Sequence, residues 1–213
     1  MPSANPSSVF LPQAIYAEII AHSKEGKPEE ICGLLRGRDN RAIELFRAEN
    51  LAEDKVNNYT VDPKALLLQF QFEDQGDEMM GIYHSHPISV AYPSGTDAWN
   101  AYYPDSTYFI CSLEFDDAPV IRAFRMVPQF LELDDEQLAH LTTQLPFEEV
   151  RPGLFAHFQA EDEGTPDLLT LLGDAASAPF YIVYGHDEAF GGLDVRLVTV
   201  REQTVVVGRE GAL

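Results

Sequence analysis

From Leu11 to Ser23 the apolar residues Leu11, Ile15 and Ile19 recur at helical spacing, with Pro12 near the start, and predict an amphipathic helix. The polar break KEGKPEE leads into ICGLLRG, a short apolar strand. GRDN reads as a turn, and RAIELFRA alternates apolar with polar as a hairpin partner does. Asp62-Pro63 opens a second helix, with Asp as N-cap and Pro at the first helical position, ending near Gly76. MMGIYHSHP is a strand running into a proline stop, and SGTDAWNAYY a short helix opened by Ser or Thr. TYFICSLEF and PVIRAFRM are strands joined at Asp116-Asp117. The order α, β, β, α, β, α, β, β defines a mixed α/β domain over residues 10–128.

Residues 129–213 read differently. Asp134 begins a helix at about 134–144, and TPDLLTLL is a short apolar helix at about 165–172. FYIVYG, DVRLVTV and TVVVGR read as strands, the last two as a hairpin around Glu202-Gln203. This small α+β region carries 16 acidic and 4 basic residues, a formal −12, against 19 and 10, a formal −9, for residues 1–128. It is long enough for a small domain of its own, expected to serve partner recruitment or dimerisation, with a homodimer as the assembly. In the alternative, its strands extend the sheet of the first domain.

Composition narrows the function. The chain has 213 residues, 45% of them apolar, and a formal net charge of −21. That charge repels phosphate backbones and argues against a general nucleic-acid binder. Cys32 and Cys111 sit in apolar segments, where cysteine serves as a small core residue, and two cysteines make no disulfide framework. No apolar run approaches the roughly 20 residues of a membrane span, and MPSANPSSVFLPQ lacks the basic and apolar parts of a signal peptide. A cytoplasmic protein away from the membrane is the default expectation.

The chemistry concentrates in GIYHSHPISVAYPSGTD, residues 81–97. His84 and His86 are two apart on a strand, so both imidazoles face one side, about 6–7 Å apart along the backbone. Asp97 follows at the first turn of the next helix, where a short loop returns it to the strand end. Two histidines and a carboxylate leave a fourth tetrahedral position open, as catalytic zinc sites require, although nitrogen and oxygen donors also admit Fe, Co or Mn. An isolated His-x-His pair, by contrast, is more often a surface or core pair than a metal site.

HSHP followed by SGTD resembles the JAMM motif, H-x-H-P…S-x-x-D, of the JAMM (MPN+) metallopeptidases, in particular their short prokaryotic branch. The upstream PEEICGLLRG is similar to that family's acidic residue ahead of its first core strand, and NNYTVDPKALL and AYYPDSTYFICSL follow the same course. The resemblance covers about residues 1–128. It implies an α/β JAMM/MPN fold, a deaminase-like curved mixed sheet flanked by helices. It implies one Zn²⁺ per chain held by His84, His86 and Asp97, with Glu30 as the general acid–base group and Ser94 as the oxyanion partner. Glu29 competes with Glu30, since strand alternation turns only one of them to the site. Ser94 competes with its own reading as a helix cap, and Ser85 is structural. The implied reaction is hydrolysis of a peptide or isopeptide bond at the C-terminal tail of a ubiquitin-like protein or sulfur carrier. Only about ten residues separate Asp97 from the strand at Thr107, where the eukaryotic deubiquitinases carry a longer insertion, so a more open site is expected.

The rival from another class is a non-catalytic MPN scaffold, which loses ligands that this chain keeps. A deaminase-type zinc site needs H-x-E…P-C-x-x-C, which is absent. His22, His140, His157 and His186 are read as isolated histidines without a chemical role. Trp99 is expected to pack the helix after Asp97, and Tyr83, Tyr92 and Tyr102 to lie near the site.

Overall fold

The computed structural model describes residues 8–160, 179–187 and 192–208. In chain order these form β1 (Ser8–Pro12), α1 (Gln13–Gly26), β2 (Cys32–Arg38), β3 (Arg41–Ala48), α2 (Pro63–Leu66), α3 (Leu68–Asp74), β4 (Glu78–His86), α4 (Gly95–Trp99), β5 (Thr107–Ser112), β6 (Val120–Phe130), α5 (Asp135–Gln144), β7 (Glu148–Arg151), β8 (Leu154–Gln159), β9 (Phe180–Asp187) and β10 (Gly192–Gly208). They gather into two compact units. The first takes the described residues of 1–92, 105–124 and 202–213, and the second 93–104 and those of 125–201.

In the first unit β4 is an inner strand, antiparallel to β2 on one side and parallel to β5 on the other. β3 pairs antiparallel with β2, and β5 antiparallel with β6. Alternation along β4 splits its side chains. Tyr83 joins Ile15 and Ile19 of α1 in a core with Leu35, Phe109 and Cys111. His84 and His86 face the other way. Gly33 is required opposite Tyr83, because a Cβ there would lie 2.4 Å from the tyrosine ring. Asp62 caps α2 by accepting from the Lys64 N–H, with Pro63 at the first helical position.

In the second unit β8 pairs with β7 and β9, and β9 with β10, all antiparallel. Leu141 and Leu145 of α5 pack on Phe180, Ile182, Val195 and Leu197. The α5 start is a capping box, with Asp134 and Gln137 exchanging bonds.

Several elements differ from the sequence expectation. Leu11 lies in a strand and does not start the helix: Val9 and Leu11 of β1 pair in parallel with Val205 and Val207 of β10, a pairing that local periodicity cannot reveal. No hairpin turns at Glu202-Gln203, since β10 is one unbroken strand from Gly192 to Gly208. The polar residues that mimic a turn there are paired instead. Gln203 accepts from Thr107 at 2.9 Å, and Glu202 takes the Arg122 guanidinium in two bonds of 2.8 and 2.6 Å. The helix after Asp62 breaks at Leu67, and β6 continues to Phe130. β7 and β8 form a hairpin that alternation did not single out, turning at Gly153 with φ +76°. The helix expected at 165–172 lies outside the described residues. Among those described, no helix is long and apolar enough to cross a membrane.

Candidate metal centre

β4 delivers the two histidines. His84 is fully buried and His86 nearly so. Their Nε2 atoms are 3.2 Å apart. Two nitrogens on one tetrahedral zinc, at 2.0–2.1 Å each, sit about 3.3 Å apart, so the pair already has the spacing of a shared ion. The His86 Nδ1–H donates to the Val90 carbonyl at 2.8 Å. That bond fixes the tautomer and leaves the Nε2 lone pair toward His84. The His84 ring lies under Tyr59, stacked with centroids 4.1 Å apart.

Asp97 comes from α4, whose start follows from local chemistry. The Asp97 N–H donates to Ser94 Oγ at 3.1 Å, and Asp97 Oδ2 accepts from the Ser94 N–H and hydroxyl, both at 2.7 Å. The Ser-x-x-Asp spacing is thus a capping box that also orients the carboxylate. One donor atom each from His84, His86 and Asp97 lie within 4.8 Å of one another, all three residues buried. Two imidazoles of set orientation and a buried carboxylate suit a divalent transition metal, so the donor set fits a metal site.

The two acids of PEE part ways. Cys32 pairs with His84, and the Ser85 N–H bonds the Ile31 carbonyl at 3.0 Å. Glu30 lies just ahead of β2, two residues before Cys32. Glu29 is exposed, whereas Glu30 is 7% exposed. Burial, and next the Glu30 charge, push the Cys32 thiol up to about 12. Cys32 therefore stays protonated, its Sγ against the Ala48 and Glu49 carbonyls at 3.9 and 3.7 Å.

Sequence reasoning passed over Tyr59 and Asn50. The buried Asn50 amide donates to the Glu30 and Asn58 carbonyls at 2.9 and 3.0 Å and accepts from the Ala52 and Thr60 N–H groups at 2.9 and 3.0 Å. It thereby ties the backbone of Glu30 to the loop carrying Tyr59, with its bonding capacity filled. Neither residue carries a local signal, since both look like ordinary loop residues. Replacing Asn50 by alanine is expected to cost roughly 1–3 kcal/mol, as these groups lose their partner. Denaturant unfolding reads that cost, and an unchanged midpoint would show the loop is held otherwise.

The remaining expectations sort by face. Tyr83 lies away from the histidines, with His22 Nδ1 3.0 Å from its hydroxyl in the α1 core, so it is not a site residue. Ser85 Oγ accepts from the Ile31 N–H at 3.0 Å, a structural contact. His157 Nδ1–H donates to the Pro146 carbonyl at 3.0 Å. Tyr92 packs edge-on against Phe124. Trp99 is buried beneath the Arg196 guanidinium.

A family model described as prokaryotic homologs of the JAB domain matches residues 12–127. The chain belongs to that family. It is 37% identical over 101 residues to a desampylase of Haloferax volcanii, covering 44% of this chain and 73% of the relative. It is 32% identical over 115 residues to a CysO-cysteine peptidase of Mycobacterium tuberculosis, covering 51% of this chain and 76% of that protein. A probable TtuB-protein conjugate cleaving protease of Thermus thermophilus is 34% identical over 91 residues, covering 42% and 60%. The chain has the α/β JAB/MPN fold and is a hydrolytic enzyme, a peptidase of the JAMM type with a candidate metal site.

Proposed function

We propose that the chain is a zinc metallopeptidase that hydrolyses the peptide or isopeptide bond at the C-terminal tail of a ubiquitin-like protein or sulfur carrier. The observation that carries this is the buried group of His84, His86 and Asp97, with Glu30 buried just ahead of β2. The names of the relatives support the substrate class, one a CysO-cysteine peptidase and one a protease of TtuB-protein conjugates.

His84, His86 and Asp97 hold the ion. When bound, zinc lowers the pKa of a water to about 7 and polarises the scissile carbonyl. Glu30 takes the proton from the attacking water and returns it to the leaving amine. The Ser94 hydroxyl, now shared between Asp97 Oδ2 and Thr96 Oγ1, turns to the developing oxyanion. The substrate tail lies extended along a sheet edge by strand addition. Residues 129–213 recruit the folded part of the substrate, using a cavity of about 370 Å³ lined by Gly95, Glu148, Val150, Phe158 and Tyr181. Action in the cytoplasm and as a homodimer belongs to the same proposal, and light scattering reads the latter.

Incubation with ubiquitin-like fusions, with and without chelator, tests the reading, and mass spectrometry locates the cut. Cleavage at the end of the tail, lost on chelation and restored by zinc, is the expected result. Cleavage that ignores the chelator, or none on any such fusion, would overturn it. Elemental analysis should find about one zinc per chain. Ser94→Ala is expected to lower kcat far more than it raises KM, because oxyanion charge exists only in the transition state. An effect confined to KM would reassign Ser94 to ground-state binding of the substrate.

A further inference from the structure

We infer that the chain beyond the family match holds the metal-ligand helix in place, with Arg196 and Tyr181 as positioning residues for Asp97. The inference rests on the proposed metal centre. α4 has only five residues, too few to fix a carboxylate by helix propensity alone. Contacts within the second unit secure it at both ends. Ahead of the helix, the Tyr181 hydroxyl donates to the Pro93 carbonyl at 2.7 Å. At its first residue, Gly95 sits so tightly on β7 and β8 that a Cβ would come within 2.6 Å of Ala156 Cβ and 3.1 Å of Val150 Cγ1. At its last residue, Arg196 Nη1–H donates to the Trp99 carbonyl at 2.8 Å. Asp97 lies between these points.

Arg196 is the most telling of them. It is 1% exposed, and its guanidinium stands 4.0 Å from the Trp99 ring centroid and 5.0 Å from those of Tyr102 and Phe130. Asp194 Oδ2 accepts from its Nη2 at 2.9 Å and balances the charge. A buried guanidinium, even one paired with a half-buried carboxylate, is seldom the cheapest filling for a core, and an apolar side chain would pack as well. What an apolar side chain lacks is a donor at a set distance from the helix-end carbonyl. The planar fork binds Trp99, Asp194 and the aromatic faces together, which a lysine cannot match. Val150, Ala156, Tyr181 and Arg196 all follow residue 127, where the family match ends. In this chain the added region thus serves the ligand geometry itself.

The test is zinc affinity of the full chain, by competition with a chromophoric chelator, in a double-mutant cycle. Arg196→Met and Tyr181→Phe are each expected to weaken zinc binding, by about 10–100-fold for the former, as loss of a ligand's supporting contacts does. Arg196→Lys should recover part of the loss. In an Asp97→Ala background the same substitutions should cost little more, because they act through Asp97. Wild-type affinity in both variants, or an undiminished loss in the Asp97→Ala background, would overturn the inference. Should Arg196→Met fail to fold, the Tyr181→Phe cycle decides, since it removes one hydroxyl only. A wild-type chain that takes up no zinc overturns the reading of the site and the clamp with it. Wild-type uptake matched by the variants overturns the clamp alone.

Discussion

Replacing His84 and His86 together by alanine is expected to give a folded chain with no bound metal and no peptidase activity. One donor would then remain of three, and a lone carboxylate holds a catalytic zinc poorly. The two Nε2 atoms already stand 3.2 Å apart in a buried setting, so the loss is of a formed site and not of flexible donors. The fold should survive, since the apolar core that anchors β4 on α1 uses Tyr83 on the opposite face. Elemental analysis should fall from about one zinc per chain to near zero, together with turnover. Full zinc in the double variant would remove this group as the metal centre. The single variants should fall between, with His86→Ala also releasing the Val90 carbonyl from its donor.

Much of the site was legible because its logic is local. Two-residue alternation puts His84 and His86 on one face, and the Ser94–Asp97 spacing is a helix cap that any reader of turn chemistry can find. The sequence separates Glu29 from Glu30 only through resemblance, whereas in the fold burial sets them apart. Tyr59 and Asn50 were invisible because their roles are contacts across the fold: one stacks on His84, the other ties Glu30 to the same loop. The C-terminal strands misled for a related reason. Arg201-Glu202-Gln203 looks like a polar turn, but Arg122 and Thr107, far away in sequence, pair its side chains and let β10 run through. Composition along the chain likewise cannot see that residues 93–104 gather with residues 125–201.

The second large effect expected is at Glu30. Glu30→Gln should keep the metal and the fold and lose about 10²–10⁴-fold in turnover. The amide is the same size and still bonds a water, but it cannot accept that water's proton or pass it to the leaving amine. The backbone around it is well fixed: its N–H donates to the Lys55 carbonyl at 2.7 Å, and its carbonyl accepts from Asn50 at 2.9 Å. The substitution therefore changes chemistry and leaves placement alone. Glu29→Gln is the matched control, an exposed acid on the same segment, and should turn over at the wild-type rate. Steady-state kinetics at saturating zinc, with elemental analysis of each variant, separates the outcomes. A Glu30→Gln enzyme that cleaves normally beside a silent Glu29→Gln would give the proton-carrying role to Glu29. Loss of zinc along with turnover in Glu30→Gln would make Glu30 a metal ligand, not the proton carrier. Loss of turnover alone, with zinc at about one per chain, matches a carboxylate that moves a proton.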